Sequence, residues 1–270
     1  MSIDLDAIRN RLKTIQNGGG NASLWKPSSG EQVVRFVPYR YGDNPLGPFV
    51  ELKMHYDLPG SNFVSPISFT EEKGIGTQEL VERGDPVAEF ANHQRRTNGD
   101  AGFEIWKTLY PTNRVYAPVL VRGEEDRGVR FWGFSMTVYE ELLEYFADPD
   151  WGDLSDPKTG RDIKVKYLLP KDTGEQYPKT KVAPSPRVTP LAEDKETLRK
   201  YYDQMERVED VFDIATEEEL EDALQNWLKM EDEADEEEEE PVSASLESSD
   251  DGEEEDDFDD AFNELFDEDE

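Results

Sequence analysis

Between Arg114 and Arg122 the chain alternates strictly, with Val115, Ala117, Val119 and Val121 on the odd positions and Arg114, Tyr116, Pro118, Leu120 and Arg122 on the even ones. No other stretch constrains the fold as strongly. A period of two is the pattern of a half-buried strand, and a slip of one residue would turn every valine toward water. The acidic loop bounded by Gly123 and Gly128 then turns the chain into Val129-Arg130-Phe131-Trp132, so the stretch 106–132 reads as a β-hairpin. With the valines inward, Arg114, Tyr116, Arg122, Arg130 and Trp132 share the outer face. Cations neutralise phosphates and aromatic rings stack on unpaired bases, so such a face suits a single nucleic-acid strand. It is equally the face of an ordinary solvated sheet.

A net charge of −35 opposes nucleic-acid binding at first sight. Where the charge sits removes the objection. Of 64 acidic residues, 24 lie in 231–270, where there is no Lys or Arg. Residues 101–190 are nearly balanced, with 13 basic and 14 acidic residues. The tail cannot bury enough apolar surface to fold and is expected to be disordered. The absence of cysteine excludes disulfides, thiolate zinc sites and a Cys nucleophile. There is no apolar run of 18 or more residues and no basic-then-apolar leader, so a cytoplasmic protein is the default expectation.

In chain order, Leu5, Ile8, Leu12 and Ile15 fall at helical spacing, with Arg9, Arg11 and Lys13 on other faces, before Gly18-Gly19-Gly20. This is either a basic arm that orders against a partner or a helix docked on its own domain. Strands are expected at 32–37 and around Val50, Leu52, Met54 and Tyr56. Arg35, Tyr39, Arg40, Tyr41 and Lys53 extend the basic-aromatic surface. His55, Asp85 and His93 have no local spacing that supports a metal site. Thr137-Val138-Tyr139-Glu140 has the form of a capping box, and so does Thr216-Glu217-Glu218-Glu219 before Leu220, Leu224, Trp227 and Leu228. Residues 161–169 alternate Ile163, Val165 and Tyr167 against Lys164 and Lys166. Tyr177, Lys179, Lys181 and Arg187 follow in a Pro-rich segment placed to close over a groove. Strands, a hairpin, one capped helix and a late strand suit a mainly β chain with flanking helices, with an OB-fold core over 21–230 between an arm at 1–20 and a tail at 231–270. In that tail Phe258, Phe262, Leu265 and Phe266 lie at i, i+4, i+7 and i+8 among acids, the pattern of a segment that folds onto a partner.

This arrangement resembles the single-stranded DNA-binding proteins of T-even-type bacteriophages. The local matches are Tyr116-Ala117-Pro118-Val119-Leu120-Val121, Val129-Arg130-Phe131-Trp132-Gly133 and Lys164-Val165-Lys166. The resemblance implies that Trp106, Lys107, Tyr110, Arg114 and Tyr116 face DNA, and that Tyr177 belongs to a later DNA-facing loop. It implies an arm, here Arg11-Leu12-Lys13-Thr14, that contacts the neighbouring protomer along the strand. The family carries zinc on one His and three Cys. Here His55 lies near the expected position, but Asp85-Pro86-Val87-Ala88 stands where a Cys-x-x-Cys pair would be. A zinc-less variant with no cofactor is therefore expected, its segment 61–102 held by other contacts.

The function expected is non-enzymatic: coating and protecting single strands during phage DNA replication, recombination and repair in the cytoplasm of the infected host. Binding would be cooperative and nearly sequence-independent, opening duplexes by mass action. The tail would take replisome proteins such as a helicase loader, polymerase or recombination mediator, with no membrane partner. The alternative is an acidic chaperone or nucleic-acid mimic acting through the tail. A metal-dependent hydrolase lacks any paired-acid or His-acid spacing.

Overall fold

The computed structural model describes residues 23–41, 46–59, 62–212 and 214–238, with side chains as far as Glu231. Arg9, Arg11 and Lys13 of the arm, and Phe258, Phe262, Leu265 and Phe266 of the tail, lie outside these residues. The architecture is mixed α/β, an eight-stranded sheet with flanking helices. The strands are β1 (Leu24–Trp25), β2 (Gly30–Phe36), β3 (Val50–His55), β4 (Phe63–Val64), β5 (Thr112–Val121), β6 (Arg130–Phe134), β7 (Arg161–Leu168) and β8 (Lys179–Val188). The helices are α1 (Gln78–Glu82), α2 (Pro86–Thr97), α3 (Gly99–Leu109), α4 (Met136–Ala147), α5 (Pro170–Thr173), α6 (Lys195–Gln204), α7 (Val208–Val211) and α8 (Glu217–Glu238). The described residues fall into two compact units, one within Met1–Met54, Val64–Glu82 and Asn113–Ile214, the other within His55–Phe63, Arg83–Thr112 and Ala215–Glu270.

In the first unit the sheet runs β1-β6-β5-β2-β7-β8, with β3 paired to β5 and β4. The valine face of β5 is buried as its alternation requires, with Val115, Ala117 and Val119 fully inaccessible beside Phe36, Phe49, Val138 and Leu142. The other face is also covered. Leu120 and Phe131 join Val37, Leu52, Val208 and Val211 in a second cluster. A sheet packed on both faces buries side chains from both parities of a strand.

The hairpin exists, but its parity differs from the sequence reading. Directly opposed residues of an antiparallel pair share a face, and Val115, Ala117 and Val119 oppose Phe134, Trp132 and Arg130. Arg130 and Trp132 therefore share the valine face and are buried. Trp132 stacks on Phe36 with ring centroids 6.3 Å apart and meets the edge of Trp25 at 5.7 Å. The connection between the strands shifts the alternation by one residue, which moves every β6 side chain to the opposite face.

In the second unit α2, α3 and α8 enclose Val87, Phe90, Ala91, Leu109, Leu220, Leu224 and Trp227. Trp106 sits in α3, not in a hairpin strand. The spacing of Phe103, Trp106 and Tyr110 is helical, and at Gly102 the helix crosses so close to the Gln94 carbonyl that a β-carbon would collide with backbone. Thr216 and Glu219 form the expected reciprocal cap on α8, each side chain accepting the other's backbone N–H, at 3.2 and 2.9 Å. By contrast, α4 begins one residue before Thr137, with extended Ser135 as its N-cap and no side-chain cap bond. The helix α8 also continues past the expected boundary at 230 to Glu238, as glutamate-rich sequence permits because Glu is a good helix former.

Candidate nucleic-acid interface

The antiparallel pairing of β7 with β8 sets an exposed row of lysines in the first unit. Ile163 and Val165 on β7, with Val182 on β8, pack into the core, and that packing turns the alternate residues outward. Lys166 stands directly opposite Lys181, Lys164 opposite Ala183, and Leu168 opposite Lys179. Lys164, Lys166, Lys179 and Lys181 are all exposed on this one face. Like charges directly opposed across two strands destabilise the pair. Carboxylates offset them in part: Glu31 lies 3.7 Å from Lys164 and stands directly opposite Lys166 on β2, Glu175 lies 3.0 Å from Lys179, and Glu141 interacts electrostatically with Lys181. Among the described residues, Lys166 and Lys181 make no ion pair within 4 Å, though Glu31 and Glu141 are their neighbours. In the connection from β7 to β8, where α5 ends at left-handed Gly174, Tyr177 is 71% exposed.

Other residues from the sequence reading have different surroundings. Arg35 is fully buried, donating to the Leu154 and Asp156 carbonyls and, at 3.3 Å, to that of Phe36. Burial, partly offset by Asp162, lowers its pKa to about 10, so it remains a cation at neutral pH. It ties β2 to the turn at 154–160 and faces no solvent. Tyr39 is buried as well, its hydroxyl accepting the Val208 N–H at 3.1 Å, and burial pushes its pKa up to about 12. Arg122 donates to Asp162 at 2.9 and 3.0 Å and to the Pro190 carbonyl at 3.0 Å. Arg130 is paired with Glu124 at 2.8 Å. Arg40 donates to the Tyr202 carbonyl at 2.7 Å. Lys53 is half-buried on β3. Arg114 reaches the Gly133 carbonyl at 3.4 Å, and Tyr116 packs edge-on against Phe212 at 4.5 Å. A surface running from Arg35 through Trp132 is therefore not present. The expectation failed because an arginine within a strand reads the same whether it faces water or spans a buried set of carbonyls.

In the second unit, half-buried Trp106 is stacked between intramolecular partners. Phe103 lies 5.9 Å away at 21°, Tyr110 5.1 Å away at 23°, and the Arg95 guanidinium 4.2 Å from the indole centre. Its Nε1 donates to Asn92 at 3.2 Å. Lys107 is exposed and paired with Glu104 at 3.2 Å. Arg95 and Phe103 are not among the residues that the sequence pointed to, whereas Lys181 lies in the Pro-rich segment that it placed over a groove. Helical spacing before Trp106 could have found Phe103.

His55 is buried, one ring nitrogen 3.0 Å from the Leu109 carbonyl and the other 3.0 Å from Asp85. The second Asp85 oxygen accepts the Ala88 N–H at 2.9 Å and so caps α2. These residues do not fit a zinc ion: His55 bonds Asp85 directly, and no group of three or more His, Asp or Glu side chains able to hold a metal occurs among the described residues. The pair instead ties 55, 85 and 109 together. Asp85→Ala is expected to destabilise the second unit by about 2–5 kcal/mol, because it removes a helix cap and leaves a buried imidazole without its hydrogen-bond partner. Thermal unfolding checks this; Asp85→Asn, which keeps a capping oxygen, should cost less.

No helix of the described residues is long and apolar enough to cross a membrane. No protein-family model matches the chain, and no curated protein matches it.

Proposed function

We propose that this protein is a non-catalytic single-stranded DNA-binding protein of the T-even phage type, with an OB-type core that lays the strand's phosphates along the β7–β8 face. The observation that carries this reading is the row in which Lys166 opposes Lys181, with Lys164 and Lys179 on the same exposed face. Like charges so opposed repel, and a polyanion would relieve the repulsion that Glu31, Glu141 and Glu175 leave uncompensated. Tyr177, exposed at the end of the hairpin, offers a ring for an unpaired base. Phosphate contacts with occasional stacking give affinity with little sequence preference. The arm would add contacts between neighbouring protomers, and the acidic tail would take replisome proteins in the infected cell.

The test is fluorescence anisotropy of a labelled oligo-dT titrated with the full chain at several salt concentrations. A labelled strand is preferable to intrinsic fluorescence because Trp25, Trp132 and Trp227 are buried and would not report contact. Saturable binding is expected, with log affinity falling by about 0.7 per decade of salt for each phosphate neutralised, so by about 3 for four lysines. An absence of binding at low salt would sink the reading and leave the acidic tail as the active part.

A further inference from the structure

We infer that the open end of the aromatic ladder on α3, at Phe103, is a stacking site for one unpaired nucleobase. The inference rests on the single-strand reading above, but it concerns a different unit and a different kind of contact.

The ladder is built by helical spacing. Phe103 and Trp106 lie three residues apart on α3, and Tyr110, which caps its C-terminus, follows four residues after Trp106, so their rings fall above one another. The observed planes are within 21° and 23° of parallel. Trp106 cannot itself receive a base, because Phe103, Tyr110 and Arg95 crowd it and Asn92 holds its Nε1. Phe103 differs. It is 42% exposed and has a stacked ring partner only in Trp106 among the described residues.

A second feature points to the chemistry of the occupant. The Arg95 guanidinium lies 4.2 Å from the Trp106 ring centre and 5.7 Å from that of Phe103. It is exposed and has no carboxylate partner among the described residues. Arg96 follows it in the last turn of α2. An unpaired cation beside an open aromatic face matches what a nucleotide presents, a flat π-system joined to a phosphate. A purely apolar partner would leave that guanidinium desolvated without an anion. The chemistry therefore favours a base with its phosphate over an apolar peptide.

The experiment compares two ligands of equal length on the full chain, oligo-dT and the corresponding abasic strand. Both carry the same phosphates, and only the first can stack. Phe103→Ala is expected to lower the affinity for oligo-dT by about fivefold or more, while that for the abasic strand stays within about twofold and the salt dependence is unchanged. Phe103→Leu, which keeps an apolar side chain without a ring, should lose the same preference, and unchanged thermal unfolding of both variants would exclude a folding defect. Tyr177→Ala serves as the comparison in the other unit. If Phe103→Ala leaves the preference for oligo-dT over the abasic strand intact, the inference is overturned while single-strand binding stands. If the unaltered protein binds neither ligand at low salt, the functional reading fails and takes the inference with it.

Discussion

Replacing Lys164, Lys166, Lys179 and Lys181 together by alanine is expected to weaken oligo-dT binding on the order of 100-fold without lowering thermal stability. Each lysine brought within about 4 Å of a phosphate in high dielectric contributes about 1 kcal/mol. Four such contacts would correspond to nearly three decades of affinity. The expected loss is smaller because Lys164 and Lys179 already interact with Glu31 and Glu175, and those pairs must break on binding. The salt dependence should flatten by about 0.7 per lysine removed. Stability should hold or rise slightly, because all four side chains are exposed and the Lys166–Lys181 opposition disappears. Alanine at exposed Lys195 and Lys200 on α6 is the control for charge alone, and a comparable loss per lysine there would show that only net charge matters.

The second large effect is on the fold. Arg35→Met is expected to destabilise the first unit by about 3–5 kcal/mol, the range for removing one partner of a buried, hydrogen-bonded charge. The methionine fills similar volume, yet it leaves the Leu154 and Asp156 carbonyls without their donors. Asp162, 4.0 Å from the Arg35 Nε, keeps its bonds to Arg122, which limits the damage. Gly160 is part of the same device: a β-carbon there would collide with the guanidinium and with both carbonyls. Arg35→Lys should rescue little, because a single ammonium cannot reproduce the planar fork that reaches two carbonyls at once. For a unit of this size the loss corresponds to a fall in Tm of roughly 6–20 °C, read by calorimetry. A fall of less than about 2 °C would mean the turn at 154–160 is held by its own bonds, chiefly those from Thr159 and Lys158 to Asp156.

Much of this was legible in the sequence. The valine alternation of β5, the lysine alternation of β7 and the reciprocal cap at Thr216 and Glu219 depend on residues close in the chain, so local periodicity and spacing were enough to place them. The exposed lysines of β7 followed directly from that alternation. The stretch from 61 to 102 was harder, because its short helices and turns carry no long period. His55 and Asp85, thirty residues apart, meet only in the folded unit.

What tertiary structure alone decided was which side of each element meets water. Alternation states which residues of one strand share a face, but not how that face aligns with the next strand. Across the loop at 123–128 the register, set by contacts along the whole pair, turned Arg130 and Trp132 inward. Nor can alternation state whether a second layer covers the polar-looking face, and it is this layer that buries Tyr39 and Leu120. Arg35 was read as a surface cation because its partners are backbone carbonyls 119 and 121 residues away, which leave no mark on the sequence near it. Local sequence thus determined the elements and their periodic faces. Non-local packing determined which cations stayed exposed.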